Sequence, residues 1–333
     1  MATRGYSGYK GRKSPWKILA AILLVLVILA AAGVLVLQKY LVYDASGTPH
    51  LRLPGQEEIR QPSSGGSASS EELGKVDVTI DPPERREVLG YLLEDPNGDL
   101  TDYLAPDGDL NAVGVTLKGT DGKLRTGWQD DEILQSLLRD ESRYCVARIA
   151  CFRDGQTARG RVKELGLENT GGYIFYDANN ANWLDPGKAA AREYLLDLVR
   201  EAAEAGFDEI LLTDVAYPTE GKLDKIAYSA ADRAGSLTLF LTEAKGVLSE
   251  YEGVKLSVAV PDTLLTEGED AVSGQSLAGF AALADAIYAP CGSGDYEDYR
   301  AIVTEAAGGR STGFVALFDG EGYPPAEYLI AKP

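Results

Sequence analysis

The residues of this chain best suited to chemistry are carboxylates that end short apolar runs. Asp177 follows the run 173–176, Asp214 closes the run 209–214, and Asp262 follows the run 255–260. Two facing carboxyl groups suffice to cleave a glycosidic bond. One serves as acid and the other as nucleophile or base, about 5–5.5 Å apart for retention or about 6.5–9.5 Å for inversion. Asp177 and Asp214 end runs that read as adjacent strands, so they form the expected catalytic pair. Lys118, Arg148, Trp183, Tyr217, Asp262 and Tyr288 are the expected substrate-binding residues. Charged groups among them bind hydroxyls, and flat rings stack on the apolar face of a pyranose. Each aspartate also has a structural alternative, because an Asp just after a strand commonly forms a turn or caps the next helix. Asp154-Gly155 and Asp319-Gly320 both read that way, and Trp183 reads as packing for a helix that starts at Pro186.

Other chemistries are excluded by what the chain lacks. It has one histidine, His50, which removes Ser-His-Asp and Cys-His catalysis and every zinc site that needs two histidines. Neither common phosphate-binding glycine loop occurs. No calcium loop of EF-hand spacing is present, and no metal or cofactor is expected. Cys145, Cys151 and Cys291 form no Cys-x-x-Cys, and the first two read as small buried hydrophobes on one strand. The net charge is −19, from 32 basic and 51 acidic residues, which argues against a nucleic-acid partner.

Positioning these residues requires a scaffold, and the apolar pattern supplies one. Strands are predicted at 88–92, 112–117, 144–150, 173–176, 209–214, 255–260, 286–289 and 314–318. Helices are predicted at 130–141, 186–205, 229–249, 275–284 and 296–307. The clearest is 186–205, with Asp185 as N-cap, Pro186 in the first turn and Gly206 just past the end. Eight strands alternating with helices in about 250 residues imply a (β/α)8 barrel of the TIM type. An open doubly wound sheet is the alternative, weakened by the missing glycine fingerprint. In a barrel, functional residues collect at the C-terminal ends of the strands.

The charge is unevenly distributed. Residues 1–17 hold Arg4, Lys10, Arg12, Lys13 and Lys17 and no acid, while residues 18–37 carry no charge at all. Twenty helical residues span roughly 30 Å, the hydrocarbon thickness of a bilayer. The expected organisation is a basic cytoplasmic tail (1–17), a single transmembrane helix (18–37), a flexible linker (38–75) and a barrel domain (76–333) outside the plasma membrane. A cleaved signal peptide is the alternative, since Ala30-Ala31-Ala32-Gly33 resembles a cleavage site.

Three stretches resemble one family. They are 110–119 (LNAVGVTLKG) with Asp121-Gly122, 144–154 (YCVARIACFRD), and the region from Trp183-Leu-Asp-Pro186 through GFDEI at 206–210 to Tyr217-Pro218. Together they resemble the glycosyl hydrolase-like barrel family, over most of residues 85–320. The resemblance implies a (β/α)8 barrel related to α-amylase-like hydrolases, with polysaccharide or cell-wall glycan as the partner. It also implies departures at the site. The family's second-strand Asp is Thr116 here, with Lys118 retained, and its fifth-strand Asp and Arg fall on Thr213 and Ala216. Asp214 lies one residue after the expected acid, on the opposite strand face unless the backbone is irregular there. Three functions follow. The first is a membrane-anchored hydrolase using two carboxylates, and the second a degenerate barrel that binds glycan or an envelope partner. The third is a purely structural envelope component.

Overall fold

The apolar runs become eight parallel strands that close into a ring. In the computed structural model they are β1 (Leu89–Leu93), β2 (Ala112–Lys118), β3 (Tyr144–Ala150), β4 (Glu209–Thr213), β5 (Lys255–Ala259), β6 (Ala286–Pro290), β7 (Gly313–Phe318) and β8 (Tyr328–Lys332). Their order around the ring follows the chain, and β8 pairs with β1 to close it. The structure describes residues 41–43 and 49–51 in one unit of the chain (1–78), and residues 86–104 and 110–332 in a second (79–333).

Strand alternation sorts the side chains. Leu92, Val146, Leu211, Tyr288, Val315 and Leu329 fill the barrel. Val113, Ile149, Leu212, Val258 and Phe314 point outward into the layer between barrel and helices. Because both faces are buried, the strands read as near-continuous apolar runs rather than as alternating ones.

One expected strand is corrected. The run 173–176 lies outside the barrel, and β3 pairs directly with β4. Ile174 forms only an isolated bridge with Glu168. Tyr173 and Tyr176 are exposed, while Phe175 is buried and Ile174 packs beside it in the cluster outside the barrel, so the run covers the ring rather than joining it. The remaining place is taken by β8, which was not among the expected strands.

The described α-helices are α1 (Glu132–Leu138), α2 (Gly155–Gly160), α3 (Ala189–Ala205), α4 (Arg233–Leu248), α5 (Asp262–Glu267), α6 (Leu277–Ala281) and α7 (Tyr296–Ala306), and side-chain caps set the start of four of them. Asp131, Asp154, Asp232 and Ser276 each accept backbone N–H groups at the N-termini of α1, α2, α4 and α6. The expected start at Pro186 is corrected to Ala189. The Asp185 carboxylate instead accepts from the Gly187 N–H and the Ser229 hydroxyl, forming a turn before the helix. Gly206 ends α3 in the left-handed conformation, as expected. Among the described residues no helix covers the β7–β8 connection, and only a 3-10 turn (Thr101–Tyr103) covers β1–β2.

The transmembrane assignment of residues 18–37 lies outside the described residues. No described helix is long and apolar enough to cross a membrane. Within the expected linker, Leu41–Tyr43 pairs antiparallel with Pro49–Leu51. Cys145 and Cys151 are buried free thiols, as expected.

Candidate functional site

A cavity of about 710 Å3 opens at the C-terminal ends of the strands. Its floor is formed by Leu92, Leu211 and Leu329 from inside the barrel. Above the floor the inward-facing strand-end residues are Arg148 on β3, Thr213 on β4, Ala259 on β5, Pro290 on β6, Leu317 on β7 and Ala331 on β8. Trp183, Asp214, Tyr217 and the 270–275 loop complete the wall. The carboxylates in the lining are Glu94, Asp214, Asp270 and Asp319, and the one base is Arg148.

Asp214 reaches this cavity because its backbone leaves the strand conformation. Its φ is +52°, one of two positive values at non-glycine residues among those described. Regular alternation would place Leu211 and Thr213 inside and Asp214 outside. The left-handed turn brings Asp214 back to the cavity beside Thr213, and Thr213 Oγ1 donates to Asp214 Oδ2 at 2.9 Å. Asp is among the few residues that tolerate this backbone, and the conformation still costs about 1–2 kcal/mol.

Asp177 is not brought to Asp214. It does not line the mouth cavity, and its carboxylate is occupied by its own loop. Oδ1 accepts from the N–H of Asn179 and Ala181, and Oδ2 accepts from the Trp183 indole at 3.0 Å. The expected adjacency failed because the run before Asp177 is not a barrel strand.

Lys118 also turns away. The β2–β3 register slips between Thr116 and Lys118, so Thr116 pairs with Arg148 but Lys118 pairs with Ile149, an outward-facing residue. A bulge thus sends Lys118 into the helical layer. There its ammonium is fully buried, 3.1 Å from Asp154 and bonded to the carbonyls of Ala150 and Cys151. The Asp154 carboxylate in turn accepts from the Gln156 and Thr157 N–H groups. Gly122 must be glycine for this cluster, since a Cβ there would lie 2.1 Å from Asp154 Oδ1.

Arg148 faces the mouth, with only loose partners. Nη1 lies 3.4 Å from Thr116 Oγ1 and 4.0 Å from the half-exposed Glu94 carboxylate. Trp183 lines the cavity and is 9% exposed. Tyr217 backs the wall, fully buried, with its hydroxyl 2.9 Å from Ser236 Oγ and its ring edge-on to Tyr228. Burial pushes the Tyr217 phenol up to about 12, although the Ser236 hydrogen bond pulls it the other way. Tyr288 lies wholly inside the barrel beneath the mouth, and Asp262 sits exposed at the start of α5, bonded to the Thr263 N–H. These two, with Lys118 and Asp177, are placed away from the cavity.

Among the lining residues that were not anticipated, three carry polar chemistry toward the cavity: Glu94, Asp270 and Gln275. Glu94 directly follows β1, a strand-end charge visible in the sequence. Asp270 and Gln275 come from the β5–β6 loop, which the helical pattern at 275–284 concealed. Gln275 Nε2 donates to the Val215 carbonyl, and the Tyr217 N–H donates to the Ser273 carbonyl, so this loop is fastened over the end of β4. Burial would raise the Asp270 carboxyl. Hydrogen bonds from the Ser273 side chain and from the Val272 and Ser273 N–H groups nevertheless hold it below the usual carboxylate range. Among the described residues no cluster of ligating side chains could hold a metal ion.

Comparisons with known proteins set this barrel among others. Solved structures similar to the chain include a hypothetical protein from Ruminiclostridium thermocellum, with 24% identity, TM-score 0.42, and 51% of this chain and 96% of that one covered. The α-galactosidase of Thermus thermophilus in complex with stachyose has 14% identity and TM-score 0.40, and the match covers 70% of this chain and 50% of that one. The glycoside hydrolase domain of PelA from Pseudomonas aeruginosa has 16% identity and TM-score 0.39, with 69% and 82% covered. No curated protein matches the chain. The region from the β2–β3 turn to the residue after β6, which carries Asp214, Arg148 and Trp183, is matched by a family model over residues 121–291, and the chain belongs to that family, described as "Putative glycosyl hydrolase domain".

Proposed function

We infer that the mouth cavity holds a saccharide chain and does so without cleaving it by two-carboxylate chemistry. The observation that carries this reading is the set of inward-facing strand ends, in which Thr213, Ala259, Pro290, Leu317 and Ala331 stand where a second acid would be needed. Glu94, Asp214 and Asp319 each directly follow a strand and line the cavity, and Asp214 alone of the three is aimed there by a left-handed backbone. A glycosidase also needs a general acid whose pKa is raised by its surroundings. Asp270 is held below its ordinary value, Asp319 is exposed and turned onto the Glu321 N–H, and Glu94 is half exposed at the rim. What remains suits binding: an apolar floor, the Trp183 edge, a loosely held guanidinium, and carboxylates able to accept from sugar hydroxyls.

A second reading, hydrolysis with Asp214 as nucleophile, is favoured by one observation. The strained backbone at Asp214 aims a carboxylate into the cavity, and such strain collects at functional sites. One experiment separates the two. The full chain is incubated with cell-wall glycans and α- and β-glucans, and both bound glycan and new reducing ends are measured, with Asp214→Asn alongside. Binding without new ends, weakened in the variant, is expected. New ends that vanish in Asp214→Asn would replace the binding reading with hydrolysis.

The same proposal places the barrel on the outer side of the plasma membrane, held by residues 18–37 with the basic residues 1–17 inside. The uncharged twenty-residue run and its basic flank support it. Protein released from membranes by alkaline carbonate, or a barrel protected from protease added to intact cells, would overturn it.

A further inference from the structure

The long β3–β4 connection, together with residues 221–225 after β4, encloses a second cavity of about 570 Å3 outside the barrel mouth. Its lining includes Asn169, Phe175, Tyr176, Asp177, Lys222 and Lys225. Tyr176 is 48% exposed, and Tyr173, three residues earlier and outside the lining, is 74% exposed. The backbone of Tyr173 and the ring of Tyr176 are held in place. The Asn169 side chain accepts from the N–H groups of Gly171 and Tyr173, and the Asn169 N–H donates to the Tyr173 carbonyl at 2.7 Å. The Arg159 guanidinium lies over the Tyr176 ring, 5.6 Å from its centre, and is itself bonded to Asn182 Oδ1. Exposed aromatic rings fixed in this way lose little further freedom when a ligand covers them.

This cavity borders the mouth through one hydrogen bond. Trp183 lines the mouth, Asp177 lines the second cavity, and the indole N–H of the first donates to the carboxylate of the second. The Trp183–Asp177 pair is thus a wall common to the two cavities, with Tyr176 next in the chain to Asp177. Charges of both signs surround it: Lys225 pairs with Asp224 at 2.8 Å, Lys222 lines the cavity with Asp177, and the Arg159 guanidinium lies over the Tyr176 ring. Flat aromatic platforms set among charges of both signs suit the C–H faces of uncharged sugar rings.

The geometry points to a second saccharide subsite on the β3–β4 connection, where Tyr176 and Tyr173 hold the far units of a neutral polysaccharide whose near units occupy the mouth. This rests on the reading of the mouth as a glycan site. The test uses the full chain and measures affinity for di- and octasaccharides derived from chitin, cellulose and starch. In the wild type at least one octasaccharide binds more tightly than its disaccharide. Tyr173→Ala with Tyr176→Ala weakens that octasaccharide about tenfold, the effect of losing one well-placed contact, and leaves the disaccharide unchanged. Arg148→Ala weakens both lengths. An octasaccharide held as tightly by the double tyrosine variant as by the wild type would overturn the subsite and leave the mouth reading standing. Failure of every oligosaccharide to bind the wild type would overturn the mouth reading, and the subsite with it.

Discussion

The Thr213 hydroxyl donates to the Asp214 carboxylate at 2.9 Å, joining two consecutive residues that a regular strand would send to opposite faces. The left-handed backbone of Asp214 makes the contact possible, and it gives the position a distinctive tolerance. Asp214→Asn should leave the urea midpoint almost unchanged, because Asn accepts this conformation and keeps an acceptor for Thr213. Asp214→Val should lower stability by about 1–2 kcal/mol or more, the penalty of a left-handed backbone for a branched side chain. A valine variant as stable as the asparagine one would show that the backbone at 214 is not left-handed.

The buried Lys118–Asp154 pair should prove structural. Removing one partner of a buried pair leaves the other uncompensated and costs about 3–5 kcal/mol. Lys118→Met is expected to lose stability of that order, and adding Asp154→Asn should recover part of it. Folded Lys118→Met should bind saccharide as the wild type does, since the ammonium lies behind β2 and outside the mouth. A binding defect with unchanged stability would put Lys118 in the site after all.

Alkaline pH should unfold the barrel earlier than its acidic composition suggests. Burial raises the Cys145 thiol from 9.0 to about 12, and the buried phenols of Tyr217 and Tyr296 from 10.0 to about 12. The fold thus favours the neutral forms. Their contribution is complete below about pH 9 and shrinks as the pH climbs toward 12, because the unfolded chain ionises first. Denaturation followed from pH 8 to pH 11 should show falling stability. Native Cys145 and Cys151 should resist alkylation at pH 8, while the partly exposed Cys291 reacts ahead of them.

Asp177→Ala should disturb Trp183 more than the mouth. It removes the indole partner and, with Oδ1, the acceptor of two turn-forming N–H groups at once. A red-shifted tryptophan emission and a stability loss of about 1–3 kcal/mol are expected from an unsatisfied buried donor and a loosened loop. Unchanged emission would mean that the indole keeps a partner by another route.

The barrel was legible because its strands are buried on both faces and so appear as bare apolar runs, as in YCVARIA at 144–150. The run 173–176 misled because Tyr and Phe favour strands wherever they occur, and propensity does not register whether a run joins the ring or covers it. Tyr328–Lys332 went unread because its glutamate-flanked, tyrosine-led pattern looks no stronger than a loop. The site suffered from a different blindness. Alternation dictates direction only while the strand is regular, and at both decisive places it is not: a bulge turns Lys118 outward, and a positive φ turns Asp214 inward. Arg148, within the regular part of β3, lies in the cavity lining, where alternation puts it.

The closing seam has a consequence for how the protein is made. The Val88 N–H donates to Glu327, 239 residues along the chain, and β8 pairs with β1 through Tyr328↔Leu89. A ribosome that has released β1 to β7 has produced an open sheet with two raw edges, and edges of that kind invite pairing with other chains. The ring exists only once residue 332 has emerged. Until then the nascent chain depends on being kept apart from its neighbours, and a chain lacking β8 would be a sticky sheet rather than a slightly smaller barrel.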